Sequence, residues 1–264
     1  MFSSAPSTRR RMLAAAPMQP PLRRPVALLF AIVIATALPV AGRTATGPDP
    51  AQVESGIVEQ TNDFRRQQER DPLQVDSKLA RAAADFAAFM ARTGRYGHGA
   101  GGSTPAQRAR DAGYSFCTIA ENIAWQYNSA GFTTQALTAA FMKGWRNSPE
   151  HRRNMLRAGL TEIGVGVAHS STGGRWYAVQ LFGRPKSLRR SFSIQNAADR
   201  TVDYRLGQDR YTLPPRYTRT HYTCEPVTLH LSWPGQDGTS LEPKDGAELR
   251  IERADDGDLR LSGR

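Results

Sequence analysis

The sequence predicts an α+β chain that closes with a small all-β module, and three patterns carry that prediction. Between residues 51 and 157, apolar side chains recur at three- and four-residue steps, the spacing of one face of a helix. Two later segments, residues 163–168 and 176–182, combine β-branched, aromatic and glycine residues in strand-length runs. After Pro185 the period falls to two. Phe192/Ile194, Val202/Tyr204/Leu206, Val227/Leu229/Leu231/Trp233, Leu249/Ile251 and Leu259/Leu261 alternate with polar residues between turn signals. The predicted organisation is residues 1–42 as a signal peptide, 51–184 as the main domain and 190–264 as the β module. The module is near the lower size for an independent core.

The beginning of the chain has its own logic. Residues 26–38 are an uncharged run, apolar but for Thr36, after Arg23 and Arg24 and followed by Pro39-Val40-Ala41-Gly42. Such a run is short for a membrane span and fits the apolar centre of a secretory signal, with cleavage after Ala41. Met18 would give a more compact signal. The expected destination is the extracellular space, the periplasm or the cell envelope, with membrane contact only through the signal segment. The formal charge is +11; five arginines and no acid lie in residues 1–42, which leaves +6 for the remainder. Arg184, Lys186, Arg189 and Arg190 cluster between the two regions. They are not interleaved with aromatics as a nucleic-acid surface would be, and they read as a basic linker drawn to anionic cell envelope.

The elements follow in order. Helices are expected over residues 51–69 and 77–93, broken at Asp71-Pro72. Residues 96–103 form a glycine-rich loop that contains His98 and lacks the strand–helix context of a phosphate loop. Thr104-Pro105 caps a short helix that Gly113 ends. Residues 120–127 are apolar and aromatic around Glu121 and Asn122; Trp125 and Tyr127 offer a lining for a ligand groove, but aromatics in such a run more often read as core. A helix over 134–146 carries Leu137, Phe141 and Trp145 on one stripe. Ser148 then serves as N-cap and Pro149 as first residue of a helix to residue 157, which places Glu150 and His151 in its opening turn. The positive end of the helix dipole there disfavours imidazolium, so His151 tends to neutrality. Gly164 and Gly166 alternate with β-branched residues, so another backbone or a ligand approaches that strand closely. Asp255-Asp256-Gly257-Asp258 lacks the spaced ligands of a calcium loop and reads as a hairpin turn.

Cys117 and Cys224 are the two cysteines. In an exported chain such a pair favours a disulfide, here one joining the C-terminal region to the first, over a nucleophilic Cys117 for which no local motif exists.

Six segments placed in order give the chain a family likeness: Thr61-Asn62-Asp63-Phe64-Arg65, Tyr96-Gly97-His98, Ala120-Glu121-Asn122-Ile123-Ala124, Trp145-Arg146-Asn147-Ser148-Pro149-Glu150-His151-Arg152, Glu162-Ile163-Gly164-Val165-Gly166, and Tyr177-Ala178-Val179-Gln180-Leu181-Phe182-Gly183. Together they resemble the CAP superfamily of cysteine-rich secretory, antigen 5 and plant pathogenesis-related proteins, in its bacterial extracellular branch. The resemblance implies a three-layer α-β-α sandwich over residues 51–184. It also implies a cleft lined by His98, Glu121 and His151. The family's fourth cleft position, a glutamate in many eukaryotic members, is Ser148 here.

The chemistry of that set allows several roles. Two neutral histidines and a carboxylate make a three-ligand site for a divalent metal such as zinc, with His98 and His151 as the nitrogen ligands. Without metal, Glu121 acts as a base with His98 or His151 as proton partner, which makes all three the catalytic candidates. The third role is a polar cluster that braces a binding cleft. With one acid of the tetrad missing, the residues favour an exported, non-enzymatic binding protein over a divalent-metal-assisted hydrolase. Lipid and sterol binding in the family implies an apolar ligand; a glycan or another cell-envelope component is the other expectation. No nucleic-acid partner is expected.

Overall fold

The computed structural model describes residues 47–233, 235 and 238–263. The signal segment predicted over residues 1–42 lies outside the described residues. No helix among those described is long and apolar enough to cross a membrane.

Among the described residues, five α-helices and one sheet build the first part. Helix α1 is Pro50–Gln67, α2 Ser77–Thr93, α3 Pro105–Asp111, α4 Thr134–Asn147 and α5 Pro149–Leu156. Asp49, Asp76, Thr104 and Thr133 each cap a helix by accepting main-chain N–H bonds, each worth about 1 kcal/mol. Ser148 occupies the N-cap of α5, as the sequence predicts, but its side chain makes no capping bond. It is also the C-cap of α4, so the two helices meet at one residue.

Strands β1 (Gln74–Val75), β2 (Phe116–Gln126), β3 (Glu162–His169) and β4 (Trp176–Pro185) form a sheet in the order β1-β3-β4-β2. The two-residue β1 is too short to show a period, so the sequence carries no signal for it. Strand β2 begins at Phe116, earlier than the apolar run beginning at residue 120 indicates. It is an edge strand, antiparallel to β4.

The sheet is covered on both faces. Val53, Ile57, Phe64, Leu137, Phe141, Trp145 and Met155 of α1, α4 and α5 pack with Ile163, Val165, Ala178 and Phe182. Leu79, Ala83, Phe86 and Met90 of α2 pack with Ile123, Tyr177, Val179 and Leu181 on the other side. Alternate residues of β4 thus serve two cores, as its period of two requires. Full burial of each large side chain contributes about 1.5–3 kcal/mol. Gly164 and Gly166 explain how closely α2 seats: a Cβ at either would collide with the α2 backbone at Leu79, Ala80, Ala83 or Ala84. Of the alternatives the sequence left open, it is a backbone that approaches.

Eight strands follow: β5 Arg190–Asn196, β6 Val202–Leu206, β7 Asp209–Leu213, β8 Thr218–Thr223, β9 Leu229–Leu231, β10 Thr239–Leu241, β11 Glu248–Arg253 and β12 Leu259–Gly263. They form two sheets, β10-β9-β6-β7 and β12-β11-β5-β8. Phe192, Ile194, Tyr204, Leu229, Leu231, Trp233 and Ile251 belong to one core drawn from both sheets. The period-two residues named above supply nearly all of it. Cys117 and Cys224 are bonded. Close to that bridge, Arg157 pairs with Glu225 at 2.5 Å, and Gly159 leaves the space that the Glu225 side chain fills.

Candidate functional site

Glu121 lies on β2, on the face turned toward α2. Its side chain is 1% exposed, and both carboxylate oxygens are engaged. His98 Nδ1 stands 2.8 Å from Oε1, and Arg108 Nη2 donates to Oε2 at 2.6 Å. Sequence reasoning missed Arg108. Its guanidinium also donates to the Ser103 and His98 carbonyls, at 2.6 and 3.1 Å, and to Ser103 Oγ at 3.1 Å. It lies 3.5 Å from the centre of the Phe86 ring. One arginine on α3 therefore fastens the loop that carries His98 to the strand that carries Glu121. The sequence signal was faint: an arginine four residues into a capped helix, flanked by a loop rich in glycine.

His98 and His151 differ in electrostatics. The hydrogen bond that His98 donates to Glu121 raises the imidazole's pKa above the ordinary histidine range, against burial and the repulsion of Arg108. Burial lowers that of His151, and the nearby His98 lowers it further, while Glu150 opposes both. The direction for His151 is the one the sequence anticipates, but burial rather than the helix dipole is its leading cause. Neither ring nitrogen of His151 has a hydrogen-bond partner among the described residues. Ser148 is partly buried and contributes no side-chain bond to the group.

A buried polar chain sets the position of His151. Asn122 Nδ2 donates to the His151 carbonyl at 3.1 Å and to Gln180 Oε1 at 3.0 Å. Gln180 Nε2 donates to Thr61 Oγ1 at 2.7 Å, and Thr61 donates to the Ile57 carbonyl. Asn154 Nδ2 reaches Asn122 Oδ1 at 2.9 Å and the Glu121 carbonyl at 3.2 Å. At the other end of α5, the fully buried Arg65 donates to the Met155 and Arg157 carbonyls. Cationic donors suit the carbonyl end of a helix. Thr61, Arg65, Asn122 and Gln180 all stood in the motif segments, but strand and helix periods alone gave them no role.

The donor set does not fit a divalent ion as it stands. Among the described residues no three His, Cys, Asp or Glu side chains are grouped as a metal site needs. Glu121 already faces a fixed guanidinium, whose charge opposes a second cation.

Trp125 and Tyr127, which the sequence places in the core, are instead 43% and 57% exposed. Trp125 is the penultimate residue of the edge strand and Tyr127 follows its end. Trp145 is buried, as predicted.

Residues 58–182 match the family model described as CAP, the cysteine-rich secretory protein family. A curated relative, the uncharacterized protein YkwD of Bacillus subtilis (strain 168), is 32% identical over 120 residues, 45% of this chain and 44% of its own length. The chain thus spans less than half the length of that relative. Among solved structures, an outer surface protein from Borrelia burgdorferi is 20% identical, with a TM-score of 0.47 over 54% of this chain and 99% of its own. An extracellular protein containing an SCP domain from Bacillus anthracis str. Ames is 26% identical, with a TM-score of 0.43 over 51% of this chain and 41% of its own.

Proposed function

Residues 58–182 of this chain are a CAP domain, and from that premise we propose that the protein is an exported, non-catalytic binding protein of the cell envelope or extracellular space. The observation that carries the reading is the state of Glu121. A general base needs a lone pair within reach of the proton it takes. The Glu121 carboxylate is buried and already accepts from both Arg108 and His98. Its chemistry is spent on holding the loop around His98, and the half-exposed His98 ring is left as the group that meets a ligand.

Export is supported by the arginine-flanked apolar run of residues 26–38 and by a disulfide, which persists in oxidising compartments. The experiment is a turnover assay of the purified chain against ester, peptide and glycosidic substrates, with and without chelator. Binding without turnover is the expected result. Hydrolysis that is abolished in Glu121→Gln, or by chelation, would refute the reading.

A further inference from the structure

The row of residues that leads away from His98 along the edge of β2 has a composition of its own. Glu121, Ile123 and Trp125 project from the same face of the strand, because side chains alternate. The Ile123 carbonyl accepts from Tyr96 Oη at 3.1 Å and from Trp145 Nε1 at 3.3 Å, and the Glu121 carbonyl accepts from Asn154. These contacts show that the main-chain groups of the odd-numbered residues point off the sheet edge. Side-chain donors cover the first two. By the same alternation the Trp125 main chain faces outward, beyond the reach of those donors.

Aromatic rings line this edge. Tyr96 is 48% exposed and lies 6.5 Å from Tyr177, ring centre to ring centre. Tyr177 pairs with Trp125 across β4 and β2. The exposed Arg175 guanidinium sits 4.5 Å from the Trp125 ring centre, and Tyr127 packs against the neighbouring turn at Gly174. From Glu121 to Trp125 the path measures roughly 13 Å, at about 3.3 Å per residue. It combines partly exposed aromatic faces, outward main-chain groups and one exposed cation.

We propose that this edge is a binding face for an acidic saccharide chain, stacked on Tyr96 and Trp125 with its carboxylate at Arg175. An acyl-chain ligand would be served by an enclosed apolar cavity. Tyr96 and Trp125 are instead about half exposed, with Arg175 over one face of Trp125, which suits the apolar face of a sugar on the rings while its hydroxyls stay in water or meet the strand edge. The positive charge of Arg175 selects an anionic sugar over a neutral one. The inference rests on the binding reading above and names a ligand class for it.

The test is titration calorimetry of the purified chain with polygalacturonate and with hyaluronate fragments, beside neutral cello-oligosaccharides and phosphatidylglycerol vesicles. Binding to at least one uronate chain is expected. Trp125→Ala should weaken it about tenfold or more, the loss of one stacked ring, and Arg175→Met should remove the preference over the neutral chain. Tyr217→Ala, an exposed tyrosine elsewhere, should change nothing. No binding to either uronate, equal binding of the neutral chain, binding to vesicles alone, or unchanged affinity in Trp125→Ala would overturn the proposal. If these fail while a ligand held through His98 is still found without turnover, the binding reading stands and only the saccharide face is lost.

Discussion

Arg108 and Glu121 form an ion pair, Nη2 to Oε2 at 2.6 Å, whose side chains are 10% and 1% exposed. A pair so sheltered is costly to break from one side, because the remaining charge has neither water nor partner.

Arg108→Ala is therefore expected to destabilise the fold by about 3–5 kcal/mol, the range for orphaning a buried charge. Urea denaturation measures it. Arg108→Lys keeps the charge but loses the fork that joins Ser103, His98 and Glu121, and should fall between. A loss under about 1 kcal/mol for the alanine variant would show that the pair does not organise the loop.

The pKa values of His98 and His151 should be displaced in opposite directions. The folded pKa of His98 is raised, so its contribution to stability is fully present below the ordinary value of about 6.5 and is lost as pH rises through the folded value. That of His151 is lowered, so the fold loses stability as pH falls below about 6.5, where the unfolded chain takes up the proton first. The half-exposed His98 side chain keeps its part small. Ring-proton shifts in an NMR titration read both; a midpoint for His151 above that of His98 would contradict the assignment.

Reduction of Cys117–Cys224 should cost about 4–5 kcal/mol, since the bridge spans 107 positions and long loops gain most from closure. Denaturation of Cys117→Ala/Cys224→Ala beside the oxidised chain gives the value.

Gly166→Ala places a methyl group against the backbone of α2 at Ala83 and Ala84. Backbone cannot turn aside as a side chain can, so a loss at the upper end of about 1–3 kcal/mol is expected. Thermal unfolding of that variant beside Gly173→Ala, whose Cβ would meet only Ser170 Oγ at 3.9 Å, separates packing from backbone entropy.

Much of the fold was legible because periodicity reports one partner at a time. The helices and the alternation of Val202/Tyr204/Leu206 follow from a single buried face. Trp125 and Tyr127 misled for the same reason. Their apolar character reads as burial, while their exposure depends on β2 being an edge, which only strand order decides. In the site, His98, Glu121 and His151 were found through motif segments. Arg108 was not, because its role depends on three residues from two other elements meeting at one guanidinium. Ser148 was placed correctly as a cap position, yet its hydroxyl joins neither the helix nor the cluster.

Binding without turnover is tested most directly by native mass spectrometry of the chain purified from the medium or envelope of an exporting cell. A retained non-covalent ligand is expected that is lost in His98→Ala and that the wild-type chain leaves unchanged in mass. A chain with no ligand, whose wild type converts an added substrate that the Glu121→Gln variant only holds, would contradict it.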